Sequence, residues 1–106
     1  MTDFLWVYST HQNKSEALQM AKTLSKEKLI ACANIVDQVT SVYEWKGQIC
    51  EENEVIIIMK TQKPHFEALK KRIKETHPYD CPCIIAIPIE DGNQDYLFWL
   101  KQATTL

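Results

Sequence analysis

Residues 39–61 read Val39-Thr40-Ser41-Val42-Tyr43-Glu44-Trp45, then Lys46-Gly47, then Gln48-Ile49-Cys50-Glu51-Glu52-Asn53-Glu54-Val55-Ile56-Ile57-Ile58-Met59-Lys60-Thr61. The first arm and the Val55–Met59 stretch of the second are rich in β-branched and aromatic residues, as strands prefer. Lys46-Gly47 between them fits a tight hairpin turn. The first arm extends backward through Leu29-Ile30-Ala31-Cys32-Ala33-Asn34-Ile35-Val36, so each leg has roughly 15 residues, or about 50 Å at ~3.3 Å per residue. A domain of this size has a radius of gyration near ~13 Å. The hairpin must therefore bend, with Asp37-Gln38 as the place for a bulge, or carry its tip beyond its own core. That tip holds Val42, Tyr43, Trp45 and Ile49, and large apolar residues on a projecting ribbon mark an interaction surface. The expectation is a bend and a partner together, in a closed homo-oligomer.

Outward from the hairpin, residues 4–8, Phe4-Leu5-Trp6-Val7-Tyr8, are apolar on both parities and read as a strand covered on both faces. Asn13 and Glu16 stand at capping-box spacing. Ala17, Met20, Ala21 and Leu24 follow at helical spacing and predict the buried stripe of a first helix. Beyond the hairpin, Pro64 suits the first turn of a second helix, whose stripe is Phe66, Leu69 and Ile73. His77-Pro78-Tyr79 ends it, because proline disfavours a helical conformation in the residue before it. Residues 84–89 read as a further strand, Asp91-Gly92-Asn93 as a turn and cap, and Tyr96, Leu97, Trp99 and Leu100 as a short terminal helix. The order βαββαβ is that of a ferredoxin-like α+β sandwich, here with a long central hairpin and a C-terminal helix, in one domain spanning 1–106.

Composition narrows the function classes. The 106 residues are 45% hydrophobic and 25% charged, which fits an ordinary globular domain. A net charge of −2 argues against nucleic acid as a partner, since that needs a basic face. Lys70-Lys71-Arg72 and Lys74 read as the solvated side of a helix. No apolar run approaches the ~20 residues that span a bilayer, so no membrane partner is expected. Met1-Thr2-Asp3 lacks the basic start of a secretory signal. The expected location is cytoplasmic, with Cys32, Cys50, Cys81 and Cys83 as free thiols. The chain has only two glycines, Gly47 and Gly92, so glycine-rich phosphate loops are absent.

Several motifs together resemble one family. Ala31-Cys32-Ala33-Asn34-Ile35, Ser41-Val42-Tyr43-Glu44-Trp45-Lys46-Gly47, Glu54, Lys60-Thr61, His77-Pro78-Tyr79, Pro82, and Tyr96-Leu97 with Trp99 are similar to the CutA family of divalent-cation tolerance proteins. The resemblance implies a ferredoxin-like subunit assembled into a homotrimer by inter-subunit sheet pairing, and an association with tolerance of metal ions, chiefly copper. In copper-binding members a cysteine ends the first strand and two adjacent histidines precede the Pro-Tyr. This chain has Ser9 and Thr76 at the cysteine and the first histidine, keeps only His77, and carries Cys83 where an acidic residue is common after Pro82.

His77, Cys81 and Cys83 are therefore the candidate metal ligands. In an extended segment side chains two apart point the same way, and thiolates with imidazole suit a soft ion such as Cu(I), or zinc. The alternative is that the thiols are small apolar residues near a strand start and that His77 caps a helix C-terminus. Cys32 reads as core and Cys50 as an ordinary thiol near the tip. His11 is expected in the loop after the first strand. Glu52 and Glu54 share a strand face that is expected to be solvated or salt-bridged. Lys60 ends a buried strand, either paired with an acid or lining an inter-subunit cleft.

No catalytic constellation is present, and the chain is not expected to be an enzyme. An acyl-phosphate site would want a basic anion cradle near the first strand, yet residues 9–14 contain no arginine and the chain's one arginine is Arg72. The alternative to a metal-binding cation-tolerance trimer is a small-molecule-sensing trimer of the PII type.

Overall fold

In the computed structural model, which describes residues 3–105, the central hairpin turns at two consecutive residues with positive φ, Lys46 at 51° and Gly47 at 79°. That pair of conformations gives the primed turn that matches strand twist. The arms are β2 (Cys32–Trp45) and β3 (Gln48–Gln62), preceded by β1 (Phe4–His11) and α1 (Lys14–Lys26). A short 3-10 turn over Lys63–His65 then leads into α2 (Phe66–Thr76), β4 (Ile84–Pro88) and α3 (Gln94–Ala103). The strands form one sheet in the order β2-β3-β1-β4, and every neighbouring pair is antiparallel. The expected α+β order stands. Met1-Thr2, used in reading the N-terminus, lies outside the described residues.

The bulge falls where the hairpin's length required one. The register steps from Val36 opposite Ile56 to Val39 opposite Glu54, which leaves Asp37 and Gln38 together against Val55. Gln38 has φ 60°, and the extra residue bends the strand and increases its twist. The ribbon also projects: the molecule measures 45 × 25 × 23 Å, and Val42 and Ile49 near the tip are 66% and 74% exposed.

α1 and α2 cover one face of the sheet. Asn13 caps α1, its Oδ1 accepting from the Glu16 N–H at 2.9 Å, and the Glu16 carboxylate accepts in return from the Asn13 side-chain amide at 2.8 Å. Ala17, Met20, Ala21 and Leu24 are buried from α1, as their spacing predicts. Ala17, Met20 and Leu24 meet Leu5, Val7, Val55, Ile57 and Met59 from the sheet and Leu69 and Ile73 from α2. Each fully buried Leu or Ile here contributes about 1.5–3 kcal/mol.

The opposite face corrects one expectation. β1 is not covered on both sides in the isolated chain: Leu5, Val7, Ser9 and His11 are buried, while Trp6 is 40% exposed. Across from Trp6 and Tyr8 stand Ile87 and Ile85 of β4, 44% and 51% exposed, and Val36 of β2 is 45% exposed. α3 crosses only one end of this face. It is anchored by buried Leu100 and Thr104 and by Gln62 Nε2, which donates to Thr104 Oγ1 at 2.8 Å. No helix among the described residues is long and apolar enough to cross a membrane.

Candidate functional site

A buried polar cluster forms where β1 ends. Ser9 and His11 continue the inward parity of Leu5 and Val7, so their polar groups enter the molecule and must find partners there. Ser9 Oγ donates to the Cys83 carbonyl at 2.6 Å. His77 closes α2, its backbone N–H bonding to Ile73 O at 2.9 Å. Its ring is then held from both sides. Nδ1 accepts from the Tyr79 N–H at 3.1 Å, which leaves the proton on Nε2, 2.7 Å from the Thr10 carbonyl. In this arrangement both ring nitrogens of His77 are spent on backbone.

His11 stacks on that ring, with centroids 4.5 Å apart and planes tilted by 36°. Its Nδ1 accepts from the Gln12 N–H at 2.9 Å. Burial, and then the neighbouring His77, hold the His11 pKa below its ordinary value, with Glu16 acting weakly the other way. On the other side of His77 the Tyr79 ring lies 4.6 Å away, and the Tyr79 hydroxyl donates to Glu54 Oε2 at 2.8 Å. Burial, and then that bond to a carboxylate, push the phenol well above its ordinary range. Beside the cluster, at the bulge, opens a cavity of about 580 Å³ lined by Gln12, Asn13, Asp37, Gln38, Asn53 and Glu54.

The two candidate cysteines lie just beyond. Residues 78–81 form a bend rather than an extended run, with Cys81 exposed and Cys83 half-buried, both free thiols. Burial, then the charges of Glu54 and Cys81, push the Cys83 thiol up. Among the described residues no three His, Cys, Asp or Glu side chains gather as a metal-holding group, so His77 is not brought together with Cys81 and Cys83 as one ligand set. The family's other copper positions do not fit a soft ion either. Ser9 offers a hydroxyl already bonded to Cys83 O, and Thr76 Oγ1 lies 3.1 Å from Arg72 O within its own helix. The two thiols are the donors of suitable softness that remain.

A second cluster sits under α3. Lys60 Nζ donates to the Tyr96 hydroxyl at 3.2 Å, Cys32 Sγ is 3.6 Å from the same oxygen, and Trp99 lies against Tyr96 at 5.5 Å. Lys60 thus pairs with a phenol rather than an acid. Burial lowers its pKa, but its contacts with Tyr96 and Cys32 outweigh that and raise it. Cys32 belongs to this open face and not to the core. Glu52 and Glu54 do share a face, each engaged by a tyrosine, Tyr43 and Tyr79.

Residue-by-residue reading missed two partnerships. His11 was expected in a loop, yet β1 runs three residues past Tyr8 and pairs His11 with Val55. The alternation Leu5, Val7, Ser9, His11 was the available signal. Tyr96 over Lys60 had none, because α3 is placed by long-range packing.

Residues 5–103 match the family described as CutA1 divalent ion tolerance protein. The chain is 49% identical to the divalent-cation tolerance protein CutA of Pyrococcus horikoshii over 98 residues, which cover 92% of this chain and 95% of that one. To the protein of the same name from Thermus thermophilus it is 43% identical, with the same coverage. The solved divalent cation tolerance protein of Thermus thermophilus superposes with a TM-score of 0.93 at 41% identity, covering 96% of this chain and 99% of that one.

Proposed function

The chain belongs to the CutA1 divalent ion tolerance family, and from that membership we propose that it is a self-assembling, metal-binding protein of cation tolerance. In this reading it works as a cytoplasmic homotrimer, takes copper among its ions, and is not an enzyme.

The uncovered sheet face carries the assembly. Trp6, Val36, Ile85 and Ile87 lie on one side of the sheet, each 40–51% exposed in the isolated chain. Contiguous apolar surface of this kind is what an interface buries. The projecting tip with Val42, Trp45 and Ile49 adds a second surface that one chain leaves open. The metal role is supported by the names of the relatives and by the free thiols of Cys81 and Cys83, with His77 able to join them only by surrendering its bond to Thr10 or to Tyr79. The same commitment of His77 speaks against a role as a general base. A small-molecule sensor of the PII type is not favoured, since the family matched is one of cation tolerance.

Native mass spectrometry of the reduced protein, alone and with Cu(I) under anaerobic conditions, tests this reading. The expected species is three times the 12.3 kDa chain mass with a fixed number of retained ions. A monomer at micromolar concentration overturns the assembly, and a trimer that stays bare overturns the metal role.

A further inference from the structure

Near the end of β1 most polar donors are already engaged. Ser9 Oγ holds the Cys83 carbonyl, His77 holds Thr10 O and the Tyr79 N–H, and the Tyr79 hydroxyl holds Glu54. The thiols of Cys81 and Cys83 are free. We propose that Cys81 and Cys83 form a two-coordinate thiolate site for a soft d10 cation, represented by Cu(I), with His77 outside the coordination sphere. This inference rests on the metal-binding reading above and assigns its site and the class of ion.

Three features build the site. Pro82 between the cysteines fixes its own φ and removes one backbone freedom from the loop. The Ser9 bond to Cys83 O ties the second cysteine to β1, while Cys81 stands in the exposed bend and gives an ion access. At a metal–sulfur distance of ~2.3 Å, two sulfurs in line with the ion are about 4.6 Å apart. Residues two apart have Cα atoms at most ~7 Å apart, so two cysteine side chains turned toward one another span that separation.

Two thiolates satisfy an ion content with linear coordination but leave zinc two ligands short. The site therefore discriminates by coordination number as well as softness. Binding breaks both S–H bonds, each sulfur keeps its electron pair to bond the ion, and two protons pass to solvent. No electron is transferred.

The test is anaerobic competition between the reduced protein and a chromogenic Cu(I) chelator, followed also by the near-ultraviolet thiolate-to-Cu(I) charge-transfer band. It compares the unaltered chain, Cys81→Ser, Cys83→Ser and His77→Gln, with Zn(II) as a second probe. The proposal expects one Cu(I) per subunit with a charge-transfer band. Each cysteine substitution should weaken binding at least ~100-fold, the upper end of what losing an outer-sphere partner costs. His77→Gln should leave affinity and band unchanged, and Zn(II) should not displace Cu(I). Cys81 is exposed, so Cys81→Ser keeps the fold, and matching circular dichroism spectra verify this. Undiminished Cu(I) binding in Cys81→Ser overturns the dithiolate site and leaves the metal-binding reading standing. Loss of the band in His77→Gln with an intact fold overturns the exclusion of His77. An unaltered chain that takes no Cu(I) overturns site and reading together.

Discussion

His11 is 2% exposed and stacks on a second imidazole, an arrangement that resists a positive charge. Its folded-state pKa lies below the ordinary 6.5, through burial first and His77 second, with Glu16 offsetting part of the shift. Below pH 6.5 the unfolded chain therefore takes up this proton before the folded one does. The stability tied to His11 is intact above that pH and is lost as pH falls through the window beneath it. His11→Asn keeps an acceptor beside the Gln12 N–H and removes the titration. Thermal melts from pH 7 to pH 5 should show a smaller acid-side fall in Tm for the variant, and superimposable profiles would refute this. The neighbouring histidine shows what sequence can disclose at this scale. His77 is readable as a helix C-cap because Pro78 follows it, but the fate of its two nitrogens depends on Thr10, 67 positions away. Local pattern carries a cap. It does not carry a tautomer.

At the scale of the element, the hairpin was legible because its length conflicted with the size of the domain, and a chain resolves that conflict by bending or projecting. It does both, with the Asp37-Gln38 bulge and the exposed tip. The bulge also decides which side chains share a face. Before it, Cys32, Asn34 and Val36 lie with Lys60, Ile58 and Ile56. After it, Val39, Ser41, Tyr43 and Trp45 take over that side. Deleting Gln38 restores plain alternation with the same pairing on both sides, Val36 opposite Ile56 and Val39 opposite Glu54. Tyr43 and Trp45 then keep their face, while the strand loses the bend and extra twist that aim the tip. The deletion should lower Tm and weaken self-association in sedimentation. Gln38→Gly should leave association unchanged, since glycine adopts φ 60° without the ~1–2 kcal/mol strain that a side chain meets there. A deletion variant that assembles and melts like the parent would show that the bend at the bulge does not set the direction of the tip. β1 was the less legible element. Apolar residues on both parities announce burial on both faces, but the sequence does not say whether the second cover comes from the same chain.

For the whole molecule that missing cover is the main consequence of the fold. The helices α1 and α2 bury one side of the sheet, α3 reaches only one end of the other, and Trp6, Ile85 and Ile87 remain half open between them. A chain of 106 residues has little core to spare, so covering this face in an assembly would add stability that the isolated subunit lacks. Assembly through the sheet face and assembly through the ribbon tip make different demands. Ile87→Glu places a carboxylate on the open sheet face, on its edge strand β4 beside Trp6, while leaving the helix-side core untouched. Ile49→Asp does the same at the tip. If the sheet face is the principal contact, Ile87→Glu should run as a folded monomer with a lower Tm, and Ile49→Asp should remain assembled, dissociating only on dilution. Sedimentation of both variants with circular dichroism as the fold check decides the matter: an Ile87→Glu protein still assembled at low micromolar concentration would assign the principal interface to the ribbon instead.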